Sequence, residues 1–254
     1  MSINFDRLLS VDSPKAVKSI KYGFLNGIHY MAPHSIAGVG NLCPNATEGC
    51  KALCLGMYSG QASMVKDLEN GTNSVRDSRV AKAKLFMSER ETYLRHLEKQ
   101  IAKLVAKAKR ESLKPCVRLN GSTDIAFENM RFGQERLSLL DRFPDVQFID
   151  YTKIVSRLAK APKNLSLTLS RAENNEQECI KALANGHNVA IVFSGALPET
   201  WEGFPVINGD LHDLRHLDPK GHVIGLSPKG GKAKRDTSGF VVRDYAPMAY
   251  EVAA

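Results

Sequence analysis

Short apolar strands recur along the chain, each followed by a helical stretch and a loop, and this alternation limits the fold more than any other feature. Tyr22–Ala32 reads as a first strand or hairpin, and the runs Cys116-VRLN, Val146-QFIDY, Leu165-SLTLS, Asn188-VAIVF, Phe204-PVIN and His222-VIGL come after it. Between the first two, Val80, Ala83, Phe86, Leu94, Leu97, Ile101 and Leu104 recur at helical spacings, which predicts one long amphipathic helix over Arg76–Arg110, ended by Pro115. Shorter helices are expected over Met130–Phe143, Ile154–Lys160 and Glu173–Asn185, the last stopping at Gly186 in the left-handed conformation that glycine favours.

Strands joined by helices lie parallel, because only a long crossover returns the chain to the same end of a sheet. About seven such strands predict an α/β fold, a TIM-like parallel (β/α) barrel or partial barrel. Residues 1–254 read as a single domain. The first ~20 residues and the tail from about 241 are expected to be peripheral.

The definite chemistry lies in the loop after the first strand, where Cys43, Cys50 and Cys54 are spaced C-x6-C-x3-C. Three thiolates from one loop hold a soft metal or an iron–sulfur cluster and leave one coordination position open. Five cysteines in 254 residues are too few for a disulfide scaffold, the number is odd, and no apolar leader is read, so a reducing cytoplasm is the expected location. Zinc is the competing metal, since structural zinc closes with four ligands and His29 and His34 lie just upstream. The paired C-x2-C of a zinc knuckle is absent, which favours iron–sulfur. Cys116 opens an apolar strand and Cys179 lies among Ile180 and Leu183, so both read as structural.

The residues just past each strand also point to a site. Carboxyl ends of parallel strands share one face, and active sites are built there. Asn120 and Asp124, Tyr151 and Lys153, Ser170 and Arg171, Asp210, and Lys229 each occupy such a position and are candidate substrate contacts. Small polar residues there are also ordinary turn formers and caps. A turn has no need of the charges on Asp124, Lys153, Arg171, Asp210 and Lys229, and three cations with two carboxylates suit an anionic or zwitterionic small molecule.

The formal charge of +8 fits the same class of partner, a phosphorylated small molecule or nucleic acid. Much of that excess falls within Arg76–Lys114, where it reads as a solvated helix face. No stretch approaches the ~20 apolar residues of a membrane span. Gly225–Phe240 is rich in glycine and lysine and can close over phosphate, although P-loop spacing is missing. His212, Asp213, Arg215 and His216 gather in one segment, as a metal or acid–base cluster or, more simply, as a local Asp213–Arg215 ion pair.

The motifs occur in a characteristic order: CP at Cys43–Pro44, N-G-S-x-D at Asn120–Asp124, Y-T-K at Tyr151–Lys153, L-S at Leu169–Ser170, N-G-D-x-x-D-x-R at Asn208–Arg215, G-L-x-P-K-G at Gly225–Gly230 and S-G-F at Ser238–Phe240. From about Tyr22 to Phe240 this order resembles the gene product eighty-eight-like family of phage and plasmid proteins. That resemblance implies a bacteriophage or mobile-element setting and thus a host cytoplasm. The layout is also similar to the radical S-adenosylmethionine superfamily, in which a loop after the first barrel strand holds a 4Fe–4S cluster through three cysteines. The superfamily's common C-x3-C-x2-C spacing is replaced here by C-x6-C-x3-C. The likeness implies a 4Fe–4S cluster on Cys43, Cys50 and Cys54, with S-adenosylmethionine as a ligand of its free iron. The competing expectations are a zinc-stabilised, nucleic-acid-binding phage replication or recombination factor using the long helix and Lys229–Arg235, and a non-catalytic redox or sensor iron–sulfur protein.

Overall fold

The structure is a computed structural model that describes residues 7–243 and 245. Strand β1 (Leu9–Ser10), helix α1 (Pro14–Ile20) and strand β2 (Phe24–His29) open the fold. The cysteine loop carries α2 (Glu48–Ala52) and α3 (Leu55–Tyr58), and α4 (Ser74–Ser88) and α5 (Arg90–Arg110) lead back to β3 (Lys114–Arg118). Next come α6 (Leu139–Arg142), β4 (Gln147–Thr152), β5 (Leu165–Ser170), α7 (Glu176–Ala184) and β6 (Val189–Val192). The hairpin of β7 (Thr200–Trp201) and β8 (Phe204–Asn208), then β9 (Val223–Leu226) and α8 (Gly230–Lys234), complete the series.

These strands form one nine-stranded sheet in the order β1-β2-β3-β4-β5-β6-β9-β8-β7. From β2 across to β8 every pairing is parallel, and β1 and β7 add antiparallel edges. The α/β expectation holds, but the sheet is not closed, which corrects the expectation of a complete barrel. Closure needs the free edge of β2 to meet the far side of the sheet. Here β1 takes that edge, pairing Leu9 with His29 and Ser10 with Ile28, and β7 takes the edge of β8.

Other expectations also need correction. The N-terminal stretch is built into the fold: Leu8, Ala16 and Ser19 are buried, and α1 packs on β2. Its seven residues are too few to show periodicity, and its signals are the Ser13 cap, which accepts from the Ala16 N–H, and Pro14 in the first turn. Residues 1–6 and the tail from 246 lie outside the described residues. The long helix is two helices broken at Glu89 (φ −132°, ψ 54°), which joins them by donating its N–H to the Leu85 carbonyl (2.8 Å) and accepting from the Tyr93 N–H (2.9 Å). Most of Met130–Phe143 is a loop, since Gly133 and Arg136 take positive φ and bring Phe132 opposite Leu137. Ile154–Lys160 shortens to a 3₁₀ turn over Val155–Lys160. Gly186 does adopt the left-handed conformation (φ +78°).

Alternation along the strands divides the sheet's two faces. Leu25, Val117, Phe148, Leu167, Val189 and Val223 join the main core with Leu94, Leu97 and Ile101 of α5. Each such side chain contributes about 1.5–3 kcal/mol by leaving water. On the opposite face, Cys116 and Ile149 pack with Phe24 and Leu214 in a small second cluster. Arg118, Tyr151 and Ala190, on that same face, line a cavity instead. Among the described residues, no helix is long and apolar enough to cross a membrane.

Candidate functional site

The cavity has a volume of about 440 Å³, and all the candidate site residues, including Cys43, Cys50 and Cys54, line it. Most of them also make defined contacts within the fold. Asn120 is only 2% exposed. Its peptide N–H and its Nδ2 donate to the two Asp150 oxygens (both 2.9 Å), and its Oδ1 accepts from the Ile125 N–H (2.9 Å) and the Thr123 hydroxyl (2.8 Å). Asn120 therefore holds the loop in shape and has no polar atom left for a ligand. The next residue must be glycine, because the Gly121 N–H reaches the His29 carbonyl at 2.8 Å and a Cβ would lie 2.6 Å from that oxygen. Gly121→Ala should destabilise the fold by about 1–3 kcal/mol through this overpacking. Urea unfolding checks it, and an unchanged midpoint would contradict the contact.

Four of the five charged candidates, Asp124, Arg171, Asp210 and Lys229, are braces between loops. Asp124 accepts from the Lys153 N–H (2.8 Å) and Arg157 Nη1 (2.7 Å), tying the loop after β3 to the loop after β4. Arg157 also grips Glu128 at 2.7 and 3.0 Å. Asp210 accepts from the Ser227 N–H and pairs with Lys229 Nζ, both at 3.0 Å, joining the ends of β8 and β9. Arg171 donates to the carbonyls of Gly239 (2.8 Å) and Phe240 (3.2 Å), so it holds the chain that crosses above β5. The Ser170 carbonyl accepts from Asn175 Nδ2 (3.1 Å).

Sequence reasoning names Tyr151 and Asp213 but missed Arg118, Lys15 and Lys18, which surround them in the cavity. Asp213, with its side chain 5% exposed, meets Arg118 Nη1 at 2.9 Å and Lys15 Nζ at 3.8 Å, and accepts from the Tyr151 hydroxyl at 3.3 Å. Burial alone would raise its carboxyl, but Lys15, Arg118 and Arg215 outweigh that and hold it at about 2. The expected local pair is thus replaced: Arg215 turns to Asp218 (3.1 Å), and Asp213 reaches across the sheet. Lys18 Nζ donates to the Asp210 carbonyl (2.8 Å). Arg118, as the last residue of β3, carried a readable signal, whereas Lys15 and Lys18 sit on a helix too short to register. His212 and His216 stack edge-on against Tyr22 and Phe24, and among the described residues neither joins a group of three possible metal ligands.

Asp150, which clamps Asn120, is pushed up by burial to about 7 against the pull of Arg118 and Arg157. Unfolded, it titrates near ~3.9. Between those values the folded state holds more protons, so this group's contribution to stability falls as pH rises from about 4 to about 7. Urea unfolding of wild type and Asp150→Asn across that range should show the wild-type advantage shrinking with rising pH. A widening advantage would contradict the raised value.

The cysteine loop is framed from two sides. Thr47 caps α2 by accepting from the Cys50 N–H (3.2 Å), and its hydroxyl donates to Glu173 (2.7 Å), which also accepts from the Gly49 N–H (2.8 Å). Buried Arg76 donates to the carbonyls of Met57, Ala62 and Leu68, shaping the segment beyond Cys54. In the glycine–lysine stretch α8 docks on α3, with Gly230 at φ +83° against Tyr58 and Lys232 Nζ 3.8 Å above the Tyr58 ring. Cys43 Sγ accepts from the His34 N–H (3.2 Å). Burial pushes the Cys43 thiol up to about 11 and the Cys54 thiol to about 12, and Cys50 adds to the rise at both. Such thiols are poor nucleophiles at neutral pH and give up their protons to a cation that binds them.

Among the described residues, no three His, Cys, Asp or Glu side chains converge on a point as formed metal ligands. His29 is no candidate fourth ligand, because it is fully buried with Nδ1 at the Leu119 carbonyl (2.9 Å) and Nε2 at the Tyr93 hydroxyl (2.7 Å). His34 does line the cavity beside Cys43.

The family model for gene product 88 matches residues 7–244. The chain belongs to the gene product 88 family. This phage gene-product family takes in β1 and α1 as well as every residue that lines the cavity, so the match reaches further toward the N-terminus than the motifs do. No curated protein and no solved structure matches the chain.

Proposed function

We propose that this protein carries a 4Fe–4S cluster on Cys43, Cys50 and Cys54, and that it binds a small anionic or zwitterionic molecule in the cavity beside it. The observation that carries this reading is that the three thiols, from a loop, from α2 and from the cap of α3, all open onto one cavity at the carboxyl ends of the strands. The donor set fits the group. Three thiols that open onto one cavity suit thiolate ligation of iron, and the His34 N–H already points at one sulfur (3.2 Å). When bound, such a cluster supplies an open iron site and an electron. The chain's own residues do the rest: Asp124, Asp210 and Arg171 hold the loops rigid, and the lysines and Arg118 bring positive charge to the ligand.

The run β2-β3-β4-β5-β6 follows chain order as a partial barrel of the radical S-adenosylmethionine type does, and that likeness makes this zwitterion the first ligand to test. Less supports the zinc-stabilised nucleic-acid reading, since Lys232 of the basic stretch pairs with Glu69 and α8 is docked on α3. Electron paramagnetic resonance of the reduced, anaerobically isolated protein, with and without S-adenosylmethionine, tests the reading. A cluster signal perturbed by the ligand supports the enzyme, and an unperturbed one supports a redox or sensor role. A silent, colourless zinc protein would overturn both.

A further inference from the structure

Two of the three carboxylates that line the cavity have more than one cation around them. Asp213 is met by both Arg118 (2.9 Å) and Lys15 (3.8 Å). Asp210 pairs with Lys229 (3.0 Å), while Lys18 takes its main-chain carbonyl (2.8 Å). The third, Asp124, is answered by Arg157 (2.7 Å). Lys153 has no carboxylate within 4.0 Å among the described residues, and its Nζ lies 5.4 Å from the Phe240 ring centre.

The guanidinium groups are already committed. Arg118 spans Asp213 and the Asn120 carbonyl (3.3 Å), and Arg171 spans the carbonyls of Gly239 and Phe240 and the carboxylate of Glu176 (3.6 Å). Lys51 and Lys229 also line the cavity but pair closely with Glu48 (2.7 Å) and Asp210 (3.0 Å), so among the described residues the lining ammonium groups with no close carboxylate are Lys15 and Lys18 on α1 and Lys153 after β4. The Lys15 side chain keeps 46% of its surface open although it lines the cavity. An ammonium is a point charge with freely rotating donors, so several of them from separate elements can meet different oxygens of a phosphate.

We propose that the cavity binds a phosphorylated small molecule through Lys15, Lys18 and Lys153, which makes the N-terminal helix part of the binding site. This rests on the cavity being the ligand site and is independent of what the cysteines hold. The probe is inorganic pyrophosphate, titrated calorimetrically into the full chain. One pyrophosphate per chain is expected, with affinity about tenfold lower or worse in Lys15→Gln and in Lys153→Gln, the loss of one charge-assisted contact. Lys99→Gln, on the exposed side of α5, should leave affinity unchanged. No saturable binding, or equal weakening by Lys99→Gln, would overturn the assignment. The same titration in Cys43→Ser/Cys50→Ser/Cys54→Ser separates the two readings: binding retained there upholds the phosphate site even where iron analysis has ruled the cluster out.

Discussion

Asp213→Ala is expected to lower the stability of the fold by about 3–5 kcal/mol, because it strips the counter-ion from a buried guanidinium. The Arg118 side chain is 11% exposed and that of Asp213 5% exposed, so neither partner is well solvated. Arginine stays protonated at any accessible pH, so Arg118 cannot escape by neutralising itself. The Tyr151 hydroxyl loses its acceptor in the same change, and the guanidinium stays stacked over the Tyr151 ring (4.6 Å) without its paired carboxylate. Replacing both partners, as Asp213→Leu with Arg118→Met, should recover much of the loss, since the orphaned charge is the main cost. Urea midpoints at constant slope measure this. A loss under about 1 kcal/mol would mean that the pair is solvated, as surface pairs are. The carboxyl sits at about 2 when folded and near ~3.9 when unfolded, so its contribution is in place above about pH 4 and disappears as pH falls through 2.

Alanine at any one of Cys43, Cys50 or Cys54 should take iron from about four per chain to near zero, since a cluster held by three thiolates does not survive on two. The fold should persist, because all three are only partly buried in the cavity wall. Cys116→Ala and Cys179→Ala should do the opposite. Both sites are fully buried in packed clusters, so these variants keep the iron and lose about 0.5–3 kcal/mol of stability. The separation of the two readouts is the informative part. Iron retained by a Cys50→Ala protein would show that the metal sits elsewhere.

The strand series was legible because apolar runs of four to six residues leave a pattern, and the main parallel strands lie where that pattern places them. At two residues each, β1 and β7 are too short to leave one, and they are the strands that cap the sheet's edges. Whether a parallel sheet closes is thus decided by contacts between distant segments that no local pattern records. The cavity's membership was legible for the same reason as the strands, since the end of each strand marks a position on one face. The roles were not. Asp124 reads as a ligand contact in the sequence, and the structure adds that its oxygens accept from groups 29 and 33 residues away, which no local pattern records. Lys15 and Lys18 reach the cavity from a part of the chain that carries no periodic signal.

Whether the three thiols hold an iron–sulfur cluster is tested most directly by the iron and acid-labile sulfide content of protein purified without oxygen. About four of each per chain are expected, lost together in the cysteine variants. About one zinc per chain, or no metal at all, would contradict the cluster.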